Sequence, residues 1–249
     1  MLSRAQLLAL FVVAFVVFFV AFMPARLAVG WMGLSDTIRY SGVAGSMTEA
    51  RLTAVSYRGV PIGDITIEPS VPALLMGSFR GDVTLRGGET YGDFEVSEYS
   101  VSEIIIEKGS LNMPFAAALK GWPLSGAVSL TTDGLTLNTS QGCADGSFAL
   151  RTDAFAQALR VFGGDDVILA GDGRCAAGRL NADLSGENAV VSVTVAAAWE
   201  RGASLRADIV LTPKAGATVS EATQMMLDFA GLRREGKVWR GRLSVPVGF

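Results

Sequence analysis

The chain has 249 residues, a formal charge of -3 and a pI near 5.1, and half of its residues are apolar. That balance lacks the basic excess of a nucleic-acid binder and is too apolar for a disordered chain. There is no histidine, which excludes Ser-His-Asp and Cys-His catalysis and removes the commonest zinc ligand.

Leu7 to Met23 is an unbroken apolar run, LLALFVVAFVVFFVAFM. As a helix it covers about 26 Å, close to the ~30 Å apolar thickness of a bilayer. Leu7, Phe11, Phe15, Phe18, Phe19 and Phe22 line it, Pro24 can kink it without ending it, and Trp31 stands where an interfacial aromatic anchors a span. A cleaved signal peptide fits less well, because the run exceeds the usual h-region and Met23-Pro24-Ala25-Arg26 is a poor cleavage site. Residues 1–33 therefore read as a retained single-pass anchor, and residues 34–249 as one extracytoplasmic β-rich domain. Arg4 on one side, against Arg26 and Arg39 on the other, is too little to orient the span by charge alone.

Beyond the anchor, period-two alternation dominates. It marks half-buried strands at 51–57, 63–68, 82–86, 127–131, 180–184 and 203–211. The 29 glycines read as punctuation between them, at Gly59, Gly77, Gly87-Gly88, Gly92, Gly109, Gly126 and Gly134. A Gly-x-apolar-x-apolar phrase recurs at Gly81, Gly126, Gly178 and Gly241, too irregularly for a solenoid. The expected architecture is mainly β: a curved, mostly antiparallel sheet of about a dozen strands with two or three short helices. The helices fall at Pro114–Lys120, at Ala154–Phe162 capped by Asp153, and from a Thr218-Val219-Ser220-Glu221 capping box through Phe229 to Gly231. Met225, Met226 and Phe229 read as core contacts of the last helix.

Cys143 and Cys175 are the only cysteines, 32 positions apart. An even pair in an exported domain points to a disulfide, against the alternative of two buried thiols. Their polar, Gly-rich surroundings suggest loops at strand ends.

The remaining candidates for chemistry are weak. Asp165, Asp166 and Asp172 sit near glycines but do not follow a calcium-loop pattern, and solvated turns account for them. Asn138-Thr139-Ser140 is a sequon without a known context. Glu49, Glu103 and Glu107 imply no paired geometry. No catalytic, cofactor-binding or metal-binding set is expected.

Four phrases occur in series: Ser41-Gly42-Val43-Ala44-Gly45-Ser46-Met47, Gly59-Val60-Pro61-Ile62-Gly63-Asp64-Ile65, Pro69-Ser70-Val71-Pro72-Ala73-Leu74-Leu75-Met76-Gly77 and Gly81-Asp82-Val83-Thr84-Leu85. With Leu211-Thr212-Pro213-Lys214-Ala215-Gly216-Ala217, Met225-Met226-Leu227 and Gly241-Arg242-Leu243-Ser244, this series resembles the type II secretion system protein N family over nearly the whole chain. The resemblance implies a non-enzymatic bacterial inner-membrane subunit with a periplasmic body. Such a subunit would act in assembly or protein contact while folded proteins cross the outer membrane, its exposed sheet edges pairing with other subunits. The alternative is a periplasmic lipid-binding or lipid-bridging protein, resembling the AsmA type or the lipopolysaccharide-transport anchor, with acyl chains on an apolar sheet face.

Overall fold

The computed structural model describes residues 11, 14–15, 17–19, 22–27, 38–57, 60–76, 78–99, 103–115, 126–138, 142–160, 165–200, 204–215, 219–229 and 231–246. Contacts divide the chain into two compact units, Met1–Ser100 and Val101–Phe249. All fifteen described strands pair antiparallel within them.

The first unit contains β1 (Ile38–Arg39), β2 (Gly42–Ser46), β3 (Glu49–Tyr57), β4 (Val60–Pro69), β5 (Gly81–Gly87) and β6 (Thr90–Tyr99). β3, β4, β5 and β6 are neighbours in that order, and β1 and β2 share the other flank of β3. The register explains why these sequences alternate. Ala50, Ile67, Val83 and Phe94 stand in one cross-strand row and Leu52, Ile65 and Leu85 in the next, while Arg51, Thr66, Thr84 and Asp93 line the opposite face. Helix α1 (Val71–Leu75) joins β4 to β5. Sequence periodicity does not reveal it, because five residues are too few to show a helical repeat. Proline in its first turn starts it, and the Met76 N–H closes it on the carbonyls of Pro72 and Ala73.

The second unit contains β7 (Glu103–Pro114), β8 (Ala127–Asn138), β9 (Gly142–Thr152), α2 (Ala156–Leu159), β10 (Leu169–Ala176), β11 (Arg179–Glu187), β12 (Val191–Glu200), β13 (Ser204–Pro213), α3 (Glu221–Phe229), β14 (Arg233–Glu235) and β15 (Val238–Pro246). Strands β7 to β13 are neighbours in chain order, followed by β15 and then β14. One apolar row crosses eight of them: Leu111, Leu130, Leu150, Gly171, Leu184, Val195, Ile209 and Gly241. The two helices cover one end of that face. Leu159 of α2 and Leu227 of α3 pack with Val167, Leu169, Val193, Leu211 and Trp239 into the buried core. Burying a side chain of this size contributes about 1.5–3 kcal/mol.

Several expectations need correction. The strands are longer than alternation alone suggests, because Gly92, Gly109 and Gly134 lie inside β6, β7 and β8 rather than between strands. Gly134, at φ +80°, sits in the register shift between Thr132 and Leu135, so it bulges β8 without ending it. Asp153 does not cap α2. Its carboxylate accepts the Ala127 N–H at 2.6 Å, and only its backbone carbonyl serves the Ala156 N–H. The cap of α3 is Ser220, whose Oγ accepts the Thr223 N–H at 3.1 Å. Met225 is 67% exposed rather than core, since Leu227 takes the inward position. Asp172 lies within strand β10, not a turn. The Pro114–Lys120 helix falls mostly outside the described residues, and Pro114 itself ends β7. Thr139, Ser140 and Thr218 are also outside them.

Within Leu7–Met23 the described residues Phe11, Ala14, Phe15, Val17, Phe18, Phe19 and Phe22 are helical. Among the described residues no helix is long and apolar enough to cross a membrane. The helix does not run through Pro24. The chain bends at Met23, and Pro24 forms a bridge with Ser46.

Candidate interaction surfaces

Of the acids of interest, Asp165 and Asp166 are tied into local structure. Asp166 takes a two-pronged ion pair from Arg160 at 2.7 and 3.0 Å, and these hydrogen bonds hold its carboxyl below its ordinary value. The Asp165 carbonyl accepts the Asn188 side-chain amide. Asp172 faces Asp183 across β10 and β11. Glu49 opens β3, and Glu103 and Glu107 lie on β7. Among the described residues no three of His, Cys, Asp or Glu come together as metal ligands do.

Cys143 and Cys175 are joined as a disulfide, with Cα atoms 5.5 Å apart. Both are buried within strands β9 and β10, not in loops as their composition suggested. The two-residue turn from β10 to β11 folds back beside them. The Ala177 N–H donates to the Ala144 carbonyl and the Gly178 N–H to the Cys143 carbonyl, both at 2.9 Å.

The anchor candidates fall into two groups. Leu7 and Trp31 lie outside the described residues. Phe11, Phe15, Phe18, Phe19 and Phe22 are all 58–68% exposed. They form two stripes at i,i+4 spacing, with Phe11–Phe15 and Phe15–Phe19 centroids 6.4 Å apart and Phe18–Phe22 4.4 Å apart.

Strand edges are the other accessible feature. β14 has three residues, all exposed, and pairs only with Val238–Arg240 of β15. From Arg242 onward, β15 has no strand on its outer side among the described residues. In an antiparallel strand alternate residues direct their N–H and C=O to the same side. Arg233 and Arg240 are opposite each other two residues from the Gly236-Lys237 turn, so Arg242 and Ser244 present theirs outward. Arg242 spans to Asp208 on β13 at 2.7 Å, and Arg234 lies over the Trp239 ring. The rim of this edge is basic.

The family model for type II secretion system (T2SS), protein N, matches residues 36–242. The chain belongs to that family. Comparison with curated proteins and with solved structures gives no match.

The phrases shared with protein N have structural work in this fold. Gly63, at φ +110°, stands so close to the Gly87 backbone that a Cβ on either would collide with the other strand. The next residue, Asp64, pins a bulge in β3. Its Oδ1 accepts the Ala54 N–H at 3.0 Å and its Oδ2 pairs with Arg51 at 3.1 Å, while Ala54 is held at φ +49°. The Ala54 hydrogen bond, and secondarily the Arg51 one, hold the Asp64 carboxyl below its ordinary value of 3.8. Because the folded value lies below the unfolded one, this contribution is present in full above the ordinary value and is lost as pH falls through the folded value. Asp64→Asn should lower stability at pH 7 and flatten the acid limb of the stability profile below the ordinary carboxylate value. Urea midpoints measured across that range would check this, and an unchanged acid limb would count against the assignment. Spacing alone could not reveal the bulge, because Asp64 acts on a residue of the preceding strand.

Proposed function

We propose that this protein N chain is a non-enzymatic inner-membrane subunit of the type II secretion apparatus. In this reading Leu7–Met23 is the bilayer anchor and residues 34–249 form the periplasmic body. The body contributes to assembly by strand pairing with other subunits. Family membership over residues 36–242 carries the placement in the apparatus. The anchor is supported by the apolar run and the exposed Phe stripes, and an oxidising compartment by the buried disulfide. Strand pairing is supported by the open stretch of β15, whose arginine-rich rim suits an incoming strand with acidic side chains. The absence of histidine from the whole sequence favours a contact role over catalysis.

Affinity purification of the tagged full chain from detergent-solubilised membranes tests this reading. Other type II secretion subunits should co-purify, and Ser244→Pro, which removes an outward N–H, should reduce their recovery several-fold while leaving the chain folded. Recovery of the chain from the soluble fraction, or without any secretion subunit, would overturn it.

Lipid binding is a second reading, favoured by one observation. Beyond the part covered by α2 and α3, the apolar face of the second unit continues through Ile106, Leu135, Leu180, Trp199 and Leu205, all only half-buried. Phospholipid retained by the protein in native mass spectra would support it.

A further inference from the structure

The β2–β3 turn and the β4–β5 connection share one end of the Met1–Ser100 unit. Ala50 stands opposite Ile67, so the turn at Met47-Thr48 and the Pro69-Ser70 junction that opens α1 lie at the same end of two adjacent strands. The N-terminal helical segment meets the body at this same end. Pro24 bridges to Ser46, the Met47 N–H donates to the Met23 carbonyl at 3.0 Å, and Met23 and Ala25 are buried.

Helix α1 buries Ala73 but turns Leu75 and Met76 outward, 43% and 78% exposed. The tip that carries them is held in shape. The Ser78 N–H and Oγ both donate to the Ala73 carbonyl, at 3.0 and 3.2 Å, and the Ser70 N–H donates to the Arg80 carbonyl at 2.6 Å. Leu27, 48% exposed, adds a third long apolar side chain just past Pro24. Arg26 and Arg80 are exposed at this end of the unit, alongside the exposed carboxylates of Glu49, Glu68 and Asp82. Single exposed apolar residues need no explanation. Here, however, three of them lie at the one end of the unit where a phenylalanine-studded helix joins the body. Exposed apolar side chains with arginines at the same end suit the boundary between acyl chains and phosphate headgroups.

We propose that α1 is a second membrane contact. Leu75 and Met76 enter the apolar boundary of the bilayer, and Arg26 and Arg80 pair with lipid phosphates. This rests on the anchor reading above, since the same bilayer must hold the Phe-rich segment. The anchor and α1 together then fix the body's orientation. The strands of this unit stand away from the membrane, and the Gly88-Glu89 turn lies at the far end, about 20 Å out for a strand the length of β5.

The test uses the full-length chain in liposomes of zwitterionic and anionic phospholipids. Single-cysteine variants Phe15→Cys, Met76→Cys and Glu89→Cys, with the native disulfide intact, carry an environment-sensitive fluorophore. Lipids with a quencher high on the acyl chain are then added. The Met76 probe should be quenched at least threefold more than the Glu89 probe, and the Phe15 probe should be quenched by a deeper label. Quenching at Phe15 with none at Met76 would overturn the proposal and leave the anchor standing. Quenching at neither site would remove the anchor and the proposal with it. Met76 is exposed, so its substitution leaves the fold intact, and circular dichroism of the variant would verify this.

Discussion

Replacing both cysteines, as Cys143→Ser with Cys175→Ser, should lower the stability of the body by about 3–4 kcal/mol. The bond closes a loop of 32 residues, and removing that restraint restores conformational freedom to the unfolded chain. The folded state should change little. The β10–β11 turn remains bound to the start of β9 through the Ala177 and Gly178 N–H groups, and β9 and β10 remain paired from Leu169–Thr152 to Ala176–Asp145. The loss should therefore appear in the urea midpoint, with far-UV circular dichroism unchanged. Reductant should shift the wild-type protein toward the variant and leave the variant unmoved. A variant as stable as the oxidised wild type would mean that the unfolded chain is already restrained by other means. The same bond reports on compartment. If the body is periplasmic, rapid alkylation of intact cells should find both thiols blocked until a reductant is added.

Which strands were legible from sequence depends on what their neighbours require. β13 alternates cleanly because Ala207, Ile209 and Leu211 face a helix-covered core while Arg206, Asp208 and Thr212 face water. Two opposite environments leave a period of two in the sequence. β10, written Leu-Ala-Gly-Asp-Gly-Arg-Cys-Ala, has the same inward and outward positions, yet its two central inward ones are glycine. A Cβ on Gly171 would collide with the Asp183 carbonyl, and one on Gly173 with the Phe148 ring. These glycines are inside a strand because neighbouring groups occupy the space of their side chains. Local composition reads them as a turn. For the same reason the composition around the cysteines reads as loop although both lie in strands. β9 and β10 owe their burial to partners across the sheet rather than to their own apolar content. The interaction surfaces were less legible still. The apolar run and the family phrases are visible along the chain, but the open edge of β15 and the placement of Leu27, Leu75 and Met76 at one end of their unit arise only from pairing order and register.

Phe148→Ala should cost about 3–5 kcal/mol, the range for emptying a buried aromatic site. Phe148 is buried on β9, opposite Thr132 on β8 and Gly173 on β10. Its ring lies over Gly173, so one aromatic side chain fills the inward space of two adjacent strands. Truncation leaves a void that neither glycine nor threonine can refill. The reverse substitution, Gly173→Ala, pushes a methyl group into the ring and should cost about 1–3 kcal/mol as an overpacking strain. The two effects share one volume, so they should not add. On the Phe148→Ala background, Gly173→Ala meets no ring. It should cost nothing there, or recover up to about 1 kcal/mol through the reduced freedom of the unfolded chain. A double-mutant cycle by urea unfolding should therefore show a coupling above about 1 kcal/mol. Strict additivity would mean that the ring does not rest on Gly173, and the reason for a glycine at the centre of that strand would have to be sought elsewhere.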